Sequence, residues 1–127
     1  MHAASEPTVV VVSEDPSLLA TLERMLAMRA RVIAMSDARA ALELLETQPV
    51  TGAVLDGRLS AWMSVVLSRA FRKHQPAGRV VIIGSADDPS MLTGLAISDP
   101  RVEVLYRPLS EREVVECALG GLAALRG

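Results

Sequence analysis

Short runs of branched apolar residues alternate along the chain with longer stretches whose apolar residues recur at helical spacing. Runs of four to six such residues are typical of buried strands, and the stretches between them are typical of amphipathic helices. When strands alternate with helices along the chain, the strands pair in parallel through right-handed crossovers. The crossover helices then cover both faces of the sheet. The sequence therefore predicts a doubly wound, five-stranded parallel sheet in a three-layer α/β sandwich. The predicted strands are residues 9–12, 31–35, 50–55, 80–83 and 102–105.

Capping residues and prolines separate the predicted elements. Pro16 stands at the first position of a helix that carries apolar residues to Leu26. Asp88 and Pro89 begin a short fourth helix over residues 89–97. The other signals are Ser36 or Asp37 at the start of the second helix, Pro49 at its end, a third helix over residues 61–74, and a capping box of Ser110 and Glu113 before the fifth.

The composition bounds the class of protein. With 127 residues, half of them hydrophobic, the chain forms one domain, which we place at residues 8–126 behind a disordered tail, residues 1–7. No apolar run approaches the roughly 20 residues that span a bilayer, and no signal-peptide pattern is present, so we expect a cytoplasmic protein without membrane contact. The net charge of −2 and the lack of a clustered basic face argue against direct nucleic-acid binding.

Acidic residues follow two of the predicted strands. The first strand ends on Ser13, Glu14 and Asp15, and the third strand closes on Asp56. Because the carboxyl ends of parallel strands meet at one edge of the sheet, residues about forty apart in sequence can share one pocket there. The sequence therefore predicts an acidic site at this edge.

Four segments, VVVVSEDPSLL, GAVLDGRL, RVVIIGSADDP and VEVLYRPLSEREVV, occur in an order and spacing that resemble a known family. Over residues 8–126 the chain resembles the receiver domain of bacterial response regulators, which has a flavodoxin-like fold. The shared features are acidic residues after the first strand, an aspartate after the third, a hydroxyl residue followed by alanine after the fourth, and a base followed by proline after the fifth.

The resemblance implies roles for individual residues. Asp56 would accept a phosphoryl group from a histidine kinase or phosphotransfer protein, and Mg²⁺ held by Glu14 and Asp56 would offset the repulsion between carboxylate and phosphoryl oxygens. Ser85 and Arg107 would contact the phosphoryl oxygens. For Asp15 two interpretations stay open: it turns inward to the metal, or it begins the first helix.

The chain also departs from the family pattern. Pro16 fixes the register, so Ser13 replaces the first acid of the family's acidic pair. Arg107 replaces a lysine, and a planar guanidinium does not reproduce the geometry of a compact ammonium. Val104 occupies the position of the family's switch aromatic, while Tyr106 lies two residues further on and faces the same side of the strand. The resemblance thus predicts an atypical receiver.

Three hypotheses follow. The first is a non-enzymatic, Mg²⁺-dependent phosphoacceptor that passes its signal to a downstream protein partner or output domain through the fourth helix, fifth strand and fifth helix, where a homodimer could also form. The second is a pseudo-receiver that binds its partner, or dimerises, without phosphorylation. The third, a flavin or nucleotide binder, is disfavoured because the loop SEDPSLL has no glycine for close phosphate approach.

Overall fold

The computed structural model describes residues 7–59, 61–76, 78–84 and 101–119. The predicted fourth helix, residue 85 and most of the predicted tail, residues 1–6, lie outside these ranges. All five predicted strands and the other four helices are confirmed. The strands are β1 (Thr8–Val12), β2 (Arg31–Met35), β3 (Gly52–Asp56), β4 (Arg79–Gly84) and β5 (Val102–Tyr106). The helices are α1 (Pro16–Leu26), α2 (Ala38–Thr47), α3 (Ala61–His74) and α4 (Glu111–Leu119), the last being the predicted fifth helix. A 3₁₀ turn, Gly57–Leu59, follows β3.

The five strands form one parallel sheet in the order β2-β1-β3-β4-β5. The predicted α/β sandwich with a doubly wound sheet is therefore confirmed. In the register between β1 and β3, Val12 lies opposite Leu55. The next residues along the two strands are Ser13 and Asp56, so the sheet itself brings the loop after β1 beside the end of β3.

Two apolar clusters cover the two faces of the sheet, as the alternation of side chains along a strand requires. One contains Val9, Val11, Val54, Val81 and Ile83 and packs on Leu18, Leu22 and Leu26 of α1 and Val114, Val115, Ala118 and Leu119 of α4. The other contains Val10, Val12, Ala53, Leu55, Val80 and Ile82 and packs on Ala41 and Leu45 of α2 and Leu67 and Phe71 of α3. The central strands β1, β3 and β4 are buried on both faces, whereas the edge strands β2 and β5 are partly exposed.

Side chains at the helix starts accept hydrogen bonds from the first backbone amides of the helices, as expected. Asp15 caps α1, accepting from the backbone amides of Ser17 and Leu18. Asp37, rather than Ser36, caps α2. Asp15 therefore begins the first helix, as one of its two interpretations predicted, and its role as a metal ligand stays a prediction. At α4, the backbone amide of Glu113 donates to the Ser110 hydroxyl at 3.3 Å, which forms one half of the predicted capping box.

The third strand starts at Gly52, two residues later than predicted. Val50 is apolar because it is buried in the cluster beneath α2 and α3, and it precedes the strand. Gly52 itself packs against α4 so closely that a Cβ there would lie 2.5 Å from the Ala118 carbonyl oxygen. No helix within the described ranges is long and apolar enough to cross a membrane.

Candidate functional site

Ser13 and Asp56 form a buried hydrogen bond at the carboxyl edge of the sheet. The Ser13 hydroxyl donates to Asp56 Oδ2 at 2.7 Å, and both residues are buried, Asp56 being only 3% exposed. The same hydroxyl oxygen accepts from the backbone amide of Asp15 at 3.0 Å. At the position where the family resemblance implies a carboxylate, this chain has the neutral hydroxyl of Ser13, which donates a hydrogen bond to the Asp56 carboxylate.

The residue two positions after Asp56 folds back over its carboxylate. The backbone amide of Arg58 donates to Asp56 Oδ1 at 2.9 Å, which is the local bond by which aspartate stabilises a turn. The guanidinium then donates from Nε to Oδ1 and from Nη2 to Oδ2, both at 3.2 Å. Two parallel N–H donors on the two oxygens give the forked arginine–carboxylate geometry.

Arg58 also joins the two acidic loops. Its Nη2 donates to Asp15 Oδ2 at 2.9 Å, so the guanidinium bridges Asp15 at the start of α1 and Asp56 at the end of β3. The Arg58 side chain is 46% exposed and forms the solvent side of this arrangement. It therefore covers the buried carboxylate from above.

These contacts shift the acidity of both carboxyls. Burial by itself raises the pKa of Asp56, but the hydrogen bonds from Arg58 and Ser13 outweigh burial and hold that pKa below its ordinary value. The hydrogen bond from the Arg58 side chain, helped by the amide of Ser17, likewise lowers the pKa of Asp15. Both groups stay ionised, and the pKa of Arg58 is raised in return, mainly by its hydrogen bond to Asp56.

The predicted acidic pocket is present. Its lining, Glu14, Asp15, Asp56 and Arg58, encloses a volume of about 290 Å³, and we call it the carboxylate pocket. Glu14 is exposed at its rim. The structure thus brings together the three acids that the sequence singled out, and adds a base that sequence reasoning did not use.

Arg107 lines a different cavity. That cavity has a volume of about 220 Å³ and lies against α1, where Arg107 shares it with Asp15, Ser17 and Leu18. The peptide bond between Arg107 and Pro108 is cis. Contact between Arg107 and a group on Asp56 therefore stays a prediction, as does the role of Ser85, which lies outside the described residues.

At the other end of the same edge, Tyr106 packs on Gly84. A Cβ at Gly84 would lie 2.5 Å from Cε1 of the Tyr106 ring and 3.0 Å from Cγ1 of Val104. Tyr106 and Val104 therefore share one side of β5, as the period-two alternation predicted. The ring is 43% exposed, which leaves an aromatic surface at the edge of the sheet two residues from the expected position.

As arranged, the carboxylate pocket does not fit a divalent cation. Asp56 accepts four hydrogen bonds, two on each oxygen, and three of the four come from Arg58. Asp15 accepts three, two of them from the start of α1. Within the described part of the chain, no group of three acidic, histidine or cysteine side chains is arranged to hold a metal ion. Mg²⁺ needs free carboxylate oxygens, and here they face a guanidinium.

The sequence analysis does not predict the role of Arg58, because in the segment GAVLDGRL the family resemblance points to Asp56 alone. A signal was present: a base two residues after an aspartate that ends a strand, in a loop that meets other acids. An aspartate at that position bonds the amide two residues on, which turns the following side chain back toward the carboxylate. The base and the acids then share one edge.

These features define the fold of a receiver domain with an atypical acidic edge. No protein-family model matches the sequence, and no curated protein matches it. Among solved structures, a response regulator receiver protein from Sinorhizobium medicae WSM419 is 20% identical, with a TM-score of 0.72 over 98% of this chain and 100% of that chain.

Two further structures show the same fold. The signal receiver domain of an HD domain-containing protein from Pseudomonas fluorescens Pf-5 is 18% identical, with a TM-score of 0.76 over 95% of this chain and 98% of that one. A response regulator from Burkholderia pseudomallei, 16% identical, has a TM-score of 0.72 over 94% of this chain and 71% of that one. The Burkholderia protein carries a phosphorylated aspartic acid and a calcium ion. The receiver-domain fold expected from the sequence motifs is thereby confirmed.

Proposed function

We propose that this chain is a non-enzymatic signalling module of receiver type that binds a protein partner without being phosphorylated. The observation that carries the proposal is the closure of Asp56: its carboxylate accepts hydrogen bonds from Ser13, from the backbone of Arg58 and twice from the Arg58 guanidinium. A carboxylate that attacks phosphorus must direct a free oxygen at the incoming group. In this chain both oxygens are held by the chain itself.

Other departures support the same function. Val104 provides no aromatic ring at the family's switch position, so the usual report of phosphorylation at β5 is absent from that residue. Tyr106 instead presents an exposed ring at the end of β5. We place the partner surface on β5, α4 and the predicted helix over residues 89–97, the same surface through which a homodimer could form. Exposed aromatic rings are favoured anchors in such contacts.

A second function, phosphoryl acceptance on Asp56, is favoured by one observation. Asp56 ends β3 beside Glu14 and Asp15 in a pocket of about 290 Å³, and the Arg58 side chain that covers it is 46% exposed, with room to move aside. In that function a histidine kinase or phosphotransfer protein is the donor, Mg²⁺ is required, and Ser85 and Arg107 contact the phosphoryl oxygens.

One experiment separates the two functions. The purified chain and its Asp56→Asn variant are incubated with acetyl phosphate, with and without Mg²⁺, and the intact mass is measured within minutes at neutral pH. We expect no phosphoryl adduct on either protein. An adduct on the wild-type chain that Asp56→Asn abolishes would reject the first function and establish the second.

A further inference from the structure

The carboxylate pocket collects negative charge from two loops. Glu14, Asp15 and Asp56 all line it, and each of the two aspartates accepts hydrogen bonds on both of its carboxylate oxygens, as a charged carboxylate does. Like charges a few ångströms apart, one of them buried, repel strongly where the dielectric constant is low. A receiver fold with this edge therefore needs a positive group close to Asp56 in order to remain folded with its carboxylates charged.

Arg58 meets that need with the chain's own side chain. Among the described residues, Arg58 is the base that lines the pocket, and its Nη2 lies 2.9 Å from Asp15 Oδ2 and 3.2 Å from Asp56 Oδ2. The backbone bond from Arg58 to Asp56 Oδ1 fixes the start of the side chain, so little further ordering is required to place the guanidinium. The planar fork then matches the two oxygens of Asp56, which a compact ammonium cannot do.

We propose that Arg58 is the resident counter-ion of the carboxylate pocket and occupies the place of the divalent cation that the receiver fold implies, so that the folded chain neither needs nor takes up such a cation. This role for Arg58 rests on the proposed function, because it explains how a receiver fold can hold Asp56 closed without phosphorylation. Removal of the guanidinium leaves three acids around a pocket open to solution, and their side chains are then free to turn toward a hydrated dication.

The test compares the wild-type chain with Arg58→Gln, Arg58→Lys and a control, Arg69→Gln. Arg69 is an exposed arginine on α3 that is not among the lining residues of the pocket. Mn²⁺ is the probe, with binding followed by the electron paramagnetic resonance signal of the free ion. Thermal unfolding is recorded in chelator and in millimolar Mg²⁺.

We expect no saturable Mn²⁺ binding by the wild-type chain or Arg69→Gln, and a Tm that Mg²⁺ does not change. Arg58→Gln should bind Mn²⁺ at least about tenfold more tightly than the wild type. Its Tm in chelator should fall by roughly 4 °C and be partly restored by Mg²⁺. Arg58→Lys keeps the positive charge but lacks the two parallel donors of the guanidinium. It should therefore still exclude Mn²⁺, and its Tm should be lower than that of the wild type.

Two results would overturn the counter-ion role: Mn²⁺ binding by the wild-type chain equal to that of Arg58→Gln, or the absence of any metal response in a folded Arg58→Gln. If Arg58→Gln does not fold, Mn²⁺ uptake by Arg58→Lys equally overturns the role, and exclusion of Mn²⁺ supports it. The proposed function is tested by a different measurement, which uses no Arg58 variant. A phosphoryl adduct on the wild-type chain would reject it.

Discussion

The Ser13 hydroxyl lies 2.7 Å from Asp56 Oδ2, in a buried hydrogen bond between the residue that follows β1 and the last residue of β3. Parallel pairing of β1 with β3 makes these two residues neighbours, and alternation of side chains points both toward the face covered by α1 and α4. A neutral hydroxyl at this position stabilises an ionised Asp56 without adding charge. A carboxylate in its place would add a buried negative charge beside Asp56, with the Arg58 side chain already shared between two acids.

Replacement of Ser13 by alanine should destabilise the fold by about 1.5–3 kcal/mol, because a buried hydrogen bond to a charged group is lost. Asp56 Oδ2 then keeps only its bond from Arg58 Nη2, and the backbone amide of Asp15 loses its acceptor. Urea unfolding followed by circular dichroism measures the change. Ser17→Ala is the matched control: Ser17 is exposed on α1, and its loss should change the stability by less than about 0.5 kcal/mol. Equal effects of the two substitutions would contradict the importance of the buried bond.

Acid should destabilise the wild-type chain through Asp15 and Asp56. Both have a pKa lowered in the folded state, so the unfolded chain binds protons first. Their contribution to stability is complete above the unfolded value near about pH 4, and it is lost as the pH falls through the lower folded values. The urea midpoint, measured from neutral pH downward, should therefore drop steeply in this acid range.

In Arg58→Gln the hydrogen bonds that lower both pKa values are absent, so the acid-dependent loss of stability should be smaller than in the wild type. Arg69→Gln should follow the wild-type curve. An Arg58→Gln curve parallel to the wild-type curve throughout the acid range would show that Arg58 does not hold the carboxyls in their charged form.

Asp15 has two tasks that substitutions can separate. Asp15→Ala removes both the cap of α1 and the ion pair with Arg58, and should cost about 1 kcal/mol or somewhat more. Asp15→Asn keeps a capping oxygen and should cost clearly less. Asp37→Ala, which removes the cap of α2 alone, should cost about 1 kcal/mol. Chemical denaturation measures all three, and an asparagine variant as unstable as the alanine variant would place the energy in the ion pair instead.

Gly52 and Gly84 offer a comparison between a rigid and a movable neighbour. Alanine at position 52 would put its Cβ 2.5 Å from the backbone oxygen of Ala118, and α4 would have to shift, at a cost of about 1–3 kcal/mol. Alanine at position 84 meets the half-exposed ring of Tyr106, which can turn into solvent, so its cost should stay below about 1 kcal/mol. The urea midpoints of the two variants measure these costs. A larger loss of stability in Gly84→Ala than in Gly52→Ala would contradict this packing.

The sequence predicted the sheet and the three acids of the pocket because those features depend on simple periodicities. Runs such as Val9 to Val12 are apolar at every position because both faces are covered, and the end of each strand then fixes which loops meet. The proximity of Glu14, Asp15 and Asp56 follows from parallel pairing alone.

The bridge made by Arg58 could not be predicted in the same way. It depends on the path of a long, flexible side chain, which is decided by the local bond between the Arg58 amide and Asp56 and by the competing demand of Asp15. Asp15 illustrates the same limit: its sequence position suited both a metal ligand and a helix cap, and the structure was needed to show that two amides at the start of α1 donate to its carboxylate.

Arg58 belongs to neither of the two apolar clusters, although its guanidinium pairs with both aspartates of the carboxylate pocket. The positive group that faces the two aspartates is thus supplied by a surface turn. The valine-rich layers beneath that turn do not depend on which positive group it supplies. Under the proposed counter-ion role, one substitution at this solvent-facing position would exchange an internal cation for a dissolved one without any change in the apolar layers. The scaffold and its ionic chemistry can therefore diverge at separate rates.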